Sequence, residues 1–322
     1  MGSLRLLVII VNYRTGQYVC QCLDSILPQI DPRQDKVIVV DNDSQDDSCP
    51  IIEKYIQRLG DKAPLLLAEK ENGGFAAGNN RALQYILATT QQYPDFVLLL
   101  NPDTQVLHHG ISVLLDFMQE HPHVGIAGSR IEQQDGQPQC SCFHFHSISS
   151  EILSALRIGW LNRRLANKNV VIGVPSQPQQ VDWVAGAAML VRGQVFADIG
   201  LMDKNYFLYF EETDFCLAAR QAGWPCWYVP ASRVIHYVGK STGIVSGNNR
   251  RRPSYWFKSR QYYFLKNHGV IYTILTDISW GIAFAIWRVR RRLQRLPDRD
   301  PQNMLGDFCR HSYLARYWYK KQ

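Results

Sequence analysis

Four polar clusters each follow directly on an apolar run. Asn12-Tyr13 follows residues 4–11, and Asp41-Asn42-Asp43-Ser44 follows residues 37–40. Glu71-Asn72-Gly73-Gly74-Phe75 comes just after residues 65–68, and Asn101-Pro102-Asp103 follows residues 96–100. Each cluster alone reads as a turn, because Asp, Asn and Gly favour turns. Open α/β sheets, however, bind ligands outside the carboxyl ends of their strands, so four such ends bring carboxylates and amides to one crevice. Asp41 stands where dinucleotide folds keep the acid that accepts a ribose hydroxyl. Yet the first run is not followed by Gly-x-Gly-x-x-Gly, and the chain has no Gly-x-x-x-x-Gly-Lys-Ser/Thr. Nicotinamide, flavin and P-loop chemistry are therefore disfavoured. A nucleotide diphosphate held here needs another counter-charge, and an oxygen ligand such as Asp103 suits Mg²⁺ or Mn²⁺.

The elements that must hold these residues alternate. Apolar runs at 4–11, 37–40, 65–68 and 96–100 are separated by helical spacing at Val19, Leu23, Ile26 and Leu27, over 48–59 and over 75–88. Asp46 and Asp47 are candidates to cap the second of these helices. Such alternation predicts right-handed βαβ units and an α/β fold with a mostly parallel sheet, helices on both faces, over residues 1–105. Residues 132–180 are rich in Gln, Ser, His and Asn and show no sustained period. They predict a loop-rich insertion with a short helix near 151–156. Strands are expected at 187–191, 226–229 and 233–237, with helices at 194–199 and 211–222. The domain reading is 1–250, in two halves at 1–105 and 106–250, followed by a helical extension at 251–322.

The chain has 322 residues, 46% hydrophobic and 20% charged, which excludes disorder. Its eight cysteines include no Cys-x-x-Cys pair, so a disulfide scaffold, zinc ribbon or thioredoxin-like site is disfavoured. The apolar run at 6–11 is too short for a secretory signal and reads as a strand, so the expectation is a cytoplasmic protein.

Across residues 4–245 the chain resembles the family 2 glycosyltransferases of GT-A fold, in their rhamnosyltransferase-like branch. The resemblance is carried, in unbroken order, by Val8-Ile9-Ile10-Val11-Asn12-Tyr13, Val39-Val40-Asp41-Asn42-Asp43-Ser44, Asn72-Gly73-Gly74-Phe75-Ala76-Ala77-Gly78-Asn79-Asn80 and Leu99-Leu100-Asn101-Pro102-Asp103. It continues through Asp182-Trp183-Val184-Ala185-Gly186-Ala187-Ala188-Met189, Phe207-Leu208-Tyr209-Phe210-Glu211-Glu212-Thr213-Asp214-Phe215 and His236-Tyr237-Val238-Gly239-Lys240-Ser241-Thr242. The resemblance implies that Asn12, Tyr13 and Asp41 receive the nucleoside, and that Asn72, Asn79 and Asn101 lie beside the base and diphosphate. Asp103 and His236 would hold Mg²⁺ or Mn²⁺, with Asn101 in place of the first Asp of an Asp-x-Asp pair. Trp183 and Gly186 would shape the sugar and acceptor pocket. Glu212 aligns with the base that takes the acceptor's proton, with Glu211 and Asp214 next in line. The implied activity is inverting transfer of a sugar, such as rhamnose, from a dTDP- or UDP-sugar to a glycan or polyprenyl-diphosphate-linked acceptor. A sugar-phosphate nucleotidyltransferase and an inactive nucleotide-binding scaffold are the alternatives.

The tail has its own chemistry. Residues 240–322 hold 17 Lys/Arg against 4 Asp/Glu, while the rest of the chain is acidic on balance. Within it, residues 270–287 carry one charge, Asp277, and are followed by Arg288, Arg290, Arg291, Arg292 and Arg295. Apolar positions 271, 274, 275, 278, 282, 285, 286, 289 and 293 fall on one helical stripe. This predicts an interfacial helix anchored by Trp280 and Trp287, lying on an anionic membrane at the inner face of the cytoplasmic membrane. A packed C-terminal helix is the alternative. Nucleic-acid binding is disfavoured, since no reading motif accompanies the arginines.

Overall fold

The computed structural model describes residues 4–60, 63–237 and 250–319. Val238-Gly239-Lys240-Ser241-Thr242, the end of the last motif, lies outside the described residues. In chain order the elements are β1 (Leu6–Asn12), α1 (Gly16–Ile26), β2 (Asp35–Asp41), α2 (Ser48–Ile56), β3 (Leu65–Ala68), α3 (Gly74–Thr90), β4 (Phe96–Leu100), β5 (Thr104–Val106), α4 (Gly110–Glu120), β6 (Ile126–Glu132), β7 (Pro138–Gln139), β8 (Cys142–Phe143), α5 (Ile148–Leu156) and α6 (Gly159–Arg164). They continue with β9 (Gln179–Val181), β10 (Trp183–Val184), β11 (Ala188–Arg192), α7 (Gly193–Ile199), α8 (Glu211–Gln221), β12 (Cys226–His236), α9 (Ser254–Leu293), α10 (Met304–His311) and α11 (Tyr313–Tyr319). The described chain forms two compact units. One comprises residues 4–143, 173–207 and 211–237; the other comprises 144–172, 208–210 and 250–319.

The first unit is built on one sheet in the order β3-β2-β1-β4-β11-β6-β12-β5, with β7 beside β6 and β9 beside β12. β1 pairs in parallel with both β2 and β4, β2 with β3, and β6 with β12. β11 runs antiparallel between β4 and β6. The chain therefore steps from β1 to β2 and β3 on one side, then returns to place β4 on the other. That reversal opens a switch-point crevice at the carboxyl ends of β1 and β4. Residues 6–11 are buried throughout, as a parallel strand covered on both faces must be. Leu6, Val8 and Ile10 pack with Val19, Leu23 and Ile26 of α1 and with Leu98 and Leu100 of β4. Each such side chain contributes roughly 1.5–3 kcal/mol by leaving water.

Three differences from the sequence pattern have local causes. The two strands expected at 226–229 and 233–237 are one, β12, whose register shifts between Val229 and Arg233 around Pro230. At α2 the capping bond comes from Asp46, whose Oδ1 accepts from Ser48 N at 2.9 Å, and the Asp47 side chain makes no cap bond. The expected insertion at 132–180 holds two helices. α5 starts in a capping box in which Ser147 Oγ accepts from Ser150 N and Ser150 Oγ accepts from Ser147 N.

Within the second unit, α5 and α10 pack on α9. Gly269 interrupts α9 with φ +79°, a conformation that glycine alone adopts without strain. Beyond that kink, Trp280 stacks on Phe284 at 4.7 Å and on Phe308 at 3.9 Å. Trp287 is buried and donates Nε1 to Asp300 Oδ2 at 3.1 Å. The two tryptophans expected at a membrane surface are thus core residues of this unit. Asp277, the lone acid of the apolar run, is buried against Arg260, whose guanidinium also binds Glu151 of α5. Arg260 and His146 bring the Glu151 carboxyl down to about 2 despite its burial. α9 is long and apolar enough over 18 residues to cross a membrane by length and composition, with a mean hydropathy of 1.6, and a third of that stretch is buried.

Candidate active site

Asn12 and Asp41 close β1 and β2 side by side, in register. Asn12 Nδ2 donates to Asp41 Oδ2 at 2.5 Å, and its Oδ1 accepts from Thr15 N and Thr15 Oγ1. Asp41 repeats the pattern by accepting from Ser44 N and Ser44 Oγ. Both are turns of spacing three in which an Asn or Asp side chain folds back on its own backbone. Asn12 thereby spends its amide inside the protein, fixing the Asp41 carboxylate. The half-buried Tyr13 ring stays at the surface of this crevice, with the Arg14 guanidinium 5.0 Å from its centre. Arg14 is tied down through its N and Nε to Ser44. Thr15 and Arg14 were not singled out from sequence, and Ser44 was named there only as part of its cluster, although the Asn12/Thr15 and Asp41/Ser44 spacings stand in it.

The entry to α3 is set by backbone contacts. Gly74 has φ +84°, and a Cβ there would lie 1.9 Å from Phe207 O. Asn72 Oδ1 accepts from Gly74 N at 3.0 Å, Asn42 Nδ2 donates to Gly74 O, and Phe75 N donates to Phe207 O. One turn later Asn79 donates Nδ2 to Phe75 O, which leaves its buried Oδ1 without a partner. Gly74→Ala is expected to lose at least about 1–3 kcal/mol from left-handed strain alone, before the collision with Phe207 is counted. Urea unfolding of the variant measures it, and an unchanged midpoint would contradict the contact.

Asn101 and Asp103 follow β4, and His236 ends β12, which pairs with β5 so that His236 lies opposite Thr104. His236 Nε2 lies 3.2 Å from Asp103 Oδ1 and 3.3 Å from Asn101 Nδ2. Asp103 is fully buried, and its second oxygen, Oδ2, has no partner. An orphaned carboxylate oxygen next to an imidazole nitrogen is the donor set that a hard divalent cation completes. Asp103 and His236 therefore fit Mg²⁺ or Mn²⁺.

The carboxylates of α8 are linked to this cluster through the backbone. Asn101 N donates to Ala187 O at 3.0 Å, and Ala187 follows Gly186. A Cβ on Gly186 would press on the Phe75 ring at 3.2 Å and lie 3.8 Å from Glu212 Oε1, so glycine lets this backbone approach α8. Burial raises the Glu212 carboxyl above the ordinary range, against the opposing pull of its own N–H and that of Gly186. Burial, and then the Glu212 charge, raise the Glu211 carboxyl well above the ordinary range. The Oε2 atoms of both are enclosed without partners. Asp214 instead accepts from Tyr206 OH at 3.1 Å. Trp183 stacks on Phe143 at 4.1 Å and is half-buried.

The carboxylate pair, the Asp103 cluster and the two Asx turns stand in the order that the motifs gave them, and residues 7–167 match the family model described as glycosyl transferase family 2. The chain is a family 2 glycosyltransferase. Among its relatives, an N-acetylglucosaminyl-diphospho-decaprenol L-rhamnosyltransferase of Mycobacterium tuberculosis is 29% identical over 242 residues, covering 73% of this chain and 77% of the relative. The rhamnosyltransferase WbbL of Escherichia coli is 25% identical over 232 residues, covering 72% and 83%. The glycosyltransferase also superposes on a mannosyltransferase from Pyrobaculum calidifontis, solved with GDP-Man and Mn²⁺, with a TM-score of 0.58 at 15% identity over 98% of this chain and 83% of that one. That likeness establishes the GT-A type α/β fold. Family membership sets aside the nucleotidyltransferase and inactive-scaffold alternatives.

Proposed function

We propose that this glycosyltransferase moves a rhamnosyl group, with inversion, from a dTDP- or UDP-linked donor to a glycan or polyprenyl-diphosphate-linked acceptor at the cytoplasmic face of a membrane. The observation that carries this reading is Glu212, a carboxylate with an unpartnered oxygen, held by Gly186 next to the strand end that positions Asp103. Glu212 takes the proton of the acceptor hydroxyl as that oxygen attacks the anomeric carbon. The bond from that carbon to the diphosphate oxygen breaks, and its electron pair leaves with the nucleoside diphosphate. Asp103 and His236 would hold Mg²⁺ or Mn²⁺, and that ion's chemistry is to neutralise charge developing on the leaving diphosphate. Asp41, fixed by Asn12 and Ser44, is the acceptor for the nucleoside, with Tyr13 beside it. Asn79 offers its free Oδ1, and Asn72 holds the Gly74 turn. Trp183 and Gly186 border the sugar and its acceptor. The rhamnosyltransferase names of the two curated relatives favour the sugar and, for the mycobacterial one, the lipid-linked acceptor.

The test is a donor screen. Purified protein with Mn²⁺ and a polyprenyl-diphosphate-linked N-acetylglucosamine acceptor is given dTDP-rhamnose and a set of UDP-sugars, and released diphosphate is measured. Release from dTDP-rhamnose above every UDP-hexose is expected. Release only from donors that carry a sugar other than rhamnose overturns the rhamnosyl assignment, and release that persists fully in a chelator overturns the metal.

A further inference from the structure

The second unit carries a long aliphatic face turned to solvent. Past Gly269, Ile271, Leu275, Ile278, Ile282, Ile286 and Val289 recur every three or four residues along α9, each 46–78% exposed, and Leu293 ends the row. Single exposed leucines are ordinary, but a continuous row is an interaction surface. From Ile271 to Leu293 it runs roughly 33 Å. The opposite side of the same helix is equally apolar and already occupied, by Trp280, Ala283, Phe284 and Trp287 in their cluster with Phe308.

We propose that this row lies flat in the headgroup layer of an anionic bilayer, as the surface by which the enzyme meets a lipid-linked acceptor. Its purpose rests on the acceptor reading above; its geometry does not. Charge selects lipid over protein. The row runs into Arg292 and Arg295, both exposed, within a segment that has 17 basic and 4 acidic residues. Three of the four acids there are turned inward: Asp277 binds Arg260, Asp300 binds Arg157, and Asp307 binds Arg251. The fourth, Asp298, is exposed and pairs with Arg288 and Arg291, which leaves Arg292 and Arg295 to set the sign of the charge at the end of the row. Such a face repels a second copy of itself and is drawn to anionic headgroups. An exposed aromatic anchor stands near the basic end. Arg290 Nη2 donates to Arg157 O at 2.9 Å, and three residues on is Trp160, 63% exposed, followed by Arg163 and Arg164. Aromatic and arginine side chains are those that favour the headgroup boundary.

The inner side of α9 makes this a helix that lies on the membrane and does not span it. Crossing would expose Asp277 to lipid and strip Arg260 of a partner held at 2.7 Å, and it would break the Asp277 bond to Tyr313 N at 2.9 Å. The face inserts only as deep as its aliphatic side chains reach, with the arginines extended to the phosphates.

Flotation of the full chain with phosphatidylcholine vesicles, alone or with 30% phosphatidylglycerol, tests this. We expect binding to the anionic vesicles that weakens in high salt. Ile278→Glu with Ile282→Glu should lower it at least tenfold. Arg292→Glu with Arg295→Glu should lower it about fivefold per arginine lost and flatten its salt dependence. Circular dichroism and melting of each variant separate misfolding from lost docking. Soluble protein under every condition overturns the proposal, as does equal binding by the isoleucine variant. Resistance to alkaline extraction points to a span and overturns it too. A wild-type dimer that the isoleucine variant abolishes, without vesicle binding, assigns the face to a second copy. Diphosphate release on a short-chain, water-soluble acceptor is followed in parallel. Normal release without flotation sinks the docking face alone, and flotation without release sinks the functional reading alone.

Discussion

Glu212→Gln should bind the nucleotide donor as the native enzyme does and lose sugar transfer by about 10²–10⁴-fold, the usual worth of a positioned base. The two side chains have the same shape, so Gly186 N–H keeps an acceptor oxygen; only the ability to take a proton is removed. Glu211→Gln is the matched control. Burial and the neighbouring charge both push the Glu211 carboxyl up and so disfavour its anion beside an ionised Glu212; an amide at 211 removes that repulsion and should transfer within a few-fold of native. The assay is single-turnover transfer with saturating donor, together with donor affinity by calorimetry. Loss at 211 with retention at 212 would exchange their roles, and retention in both would move the base to Asp214.

The same pair sets a pH dependence whose sign is fixed. Glu212 acts only as the anion, and burial raises its pKa above the free carboxylate value of about 4.3. The rate therefore rises with pH through a limb displaced upward from that value, and falls as acid protonates Glu212. Residual turnover by Glu212→Gln should lack the limb altogether.

The switch-point crevice was legible in sequence because parallel βαβ units put every strand's carboxyl end on one edge. Polar residues directly after four apolar runs must then meet. The roles within the crevice were less legible. Asn12 looks like a ligand until its partners are seen, and then it is the brace of Asp41. β11 gives no sign in its composition that it runs antiparallel, since burial on both faces makes either direction equally apolar. β5, α4 and β6 likewise went unread between the fourth motif and the insertion. The tail shows the limit most plainly. The stripe from 271 to 293 was legible as one helical face and is exposed, but 280 and 287 fall about half a turn away from it, so Trp280 and Trp287, expected outside as its anchors, are found inside. What settles the matter is Arg260, which pins Asp277 from one turn of the core and Glu151 from another, an arrangement spread over 126 residues of sequence. The exposure of 271, 275, 278, 282, 286, 289 and 293 follows from that buried triad together with the Trp280, Phe284 and Trp287 cluster on Phe308.

Asp103→Ala should abolish Mn²⁺-dependent nucleotide binding, weakening it by about 100-fold or more, since even the loss of a group supporting a metal ligand costs 10–100-fold. His236→Ala should cost less, because Asp103 remains and Asn101 Nδ2 is freed only of its 3.3 Å neighbour. Stability gives the decisive second readout. Asp103 is fully enclosed with one oxygen unpartnered, so in the metal-free protein its charge is under-compensated and its removal should leave the melting temperature unchanged or higher. A carboxylate kept for the fold would behave in the opposite way, lowering the melting temperature through the lost 3.2 Å contact to His236. Melting curves of native and variant protein, each with chelator and with Mn²⁺ plus nucleoside diphosphate, therefore distinguish the two. The native curve should move up on adding Mn²⁺ and nucleotide, as binding to the folded state requires, and the Asp103→Ala curve should not move. A variant that is destabilised without metal, yet still shifts with Mn²⁺ and nucleotide, would make Asp103 a structural acid and place the cation elsewhere.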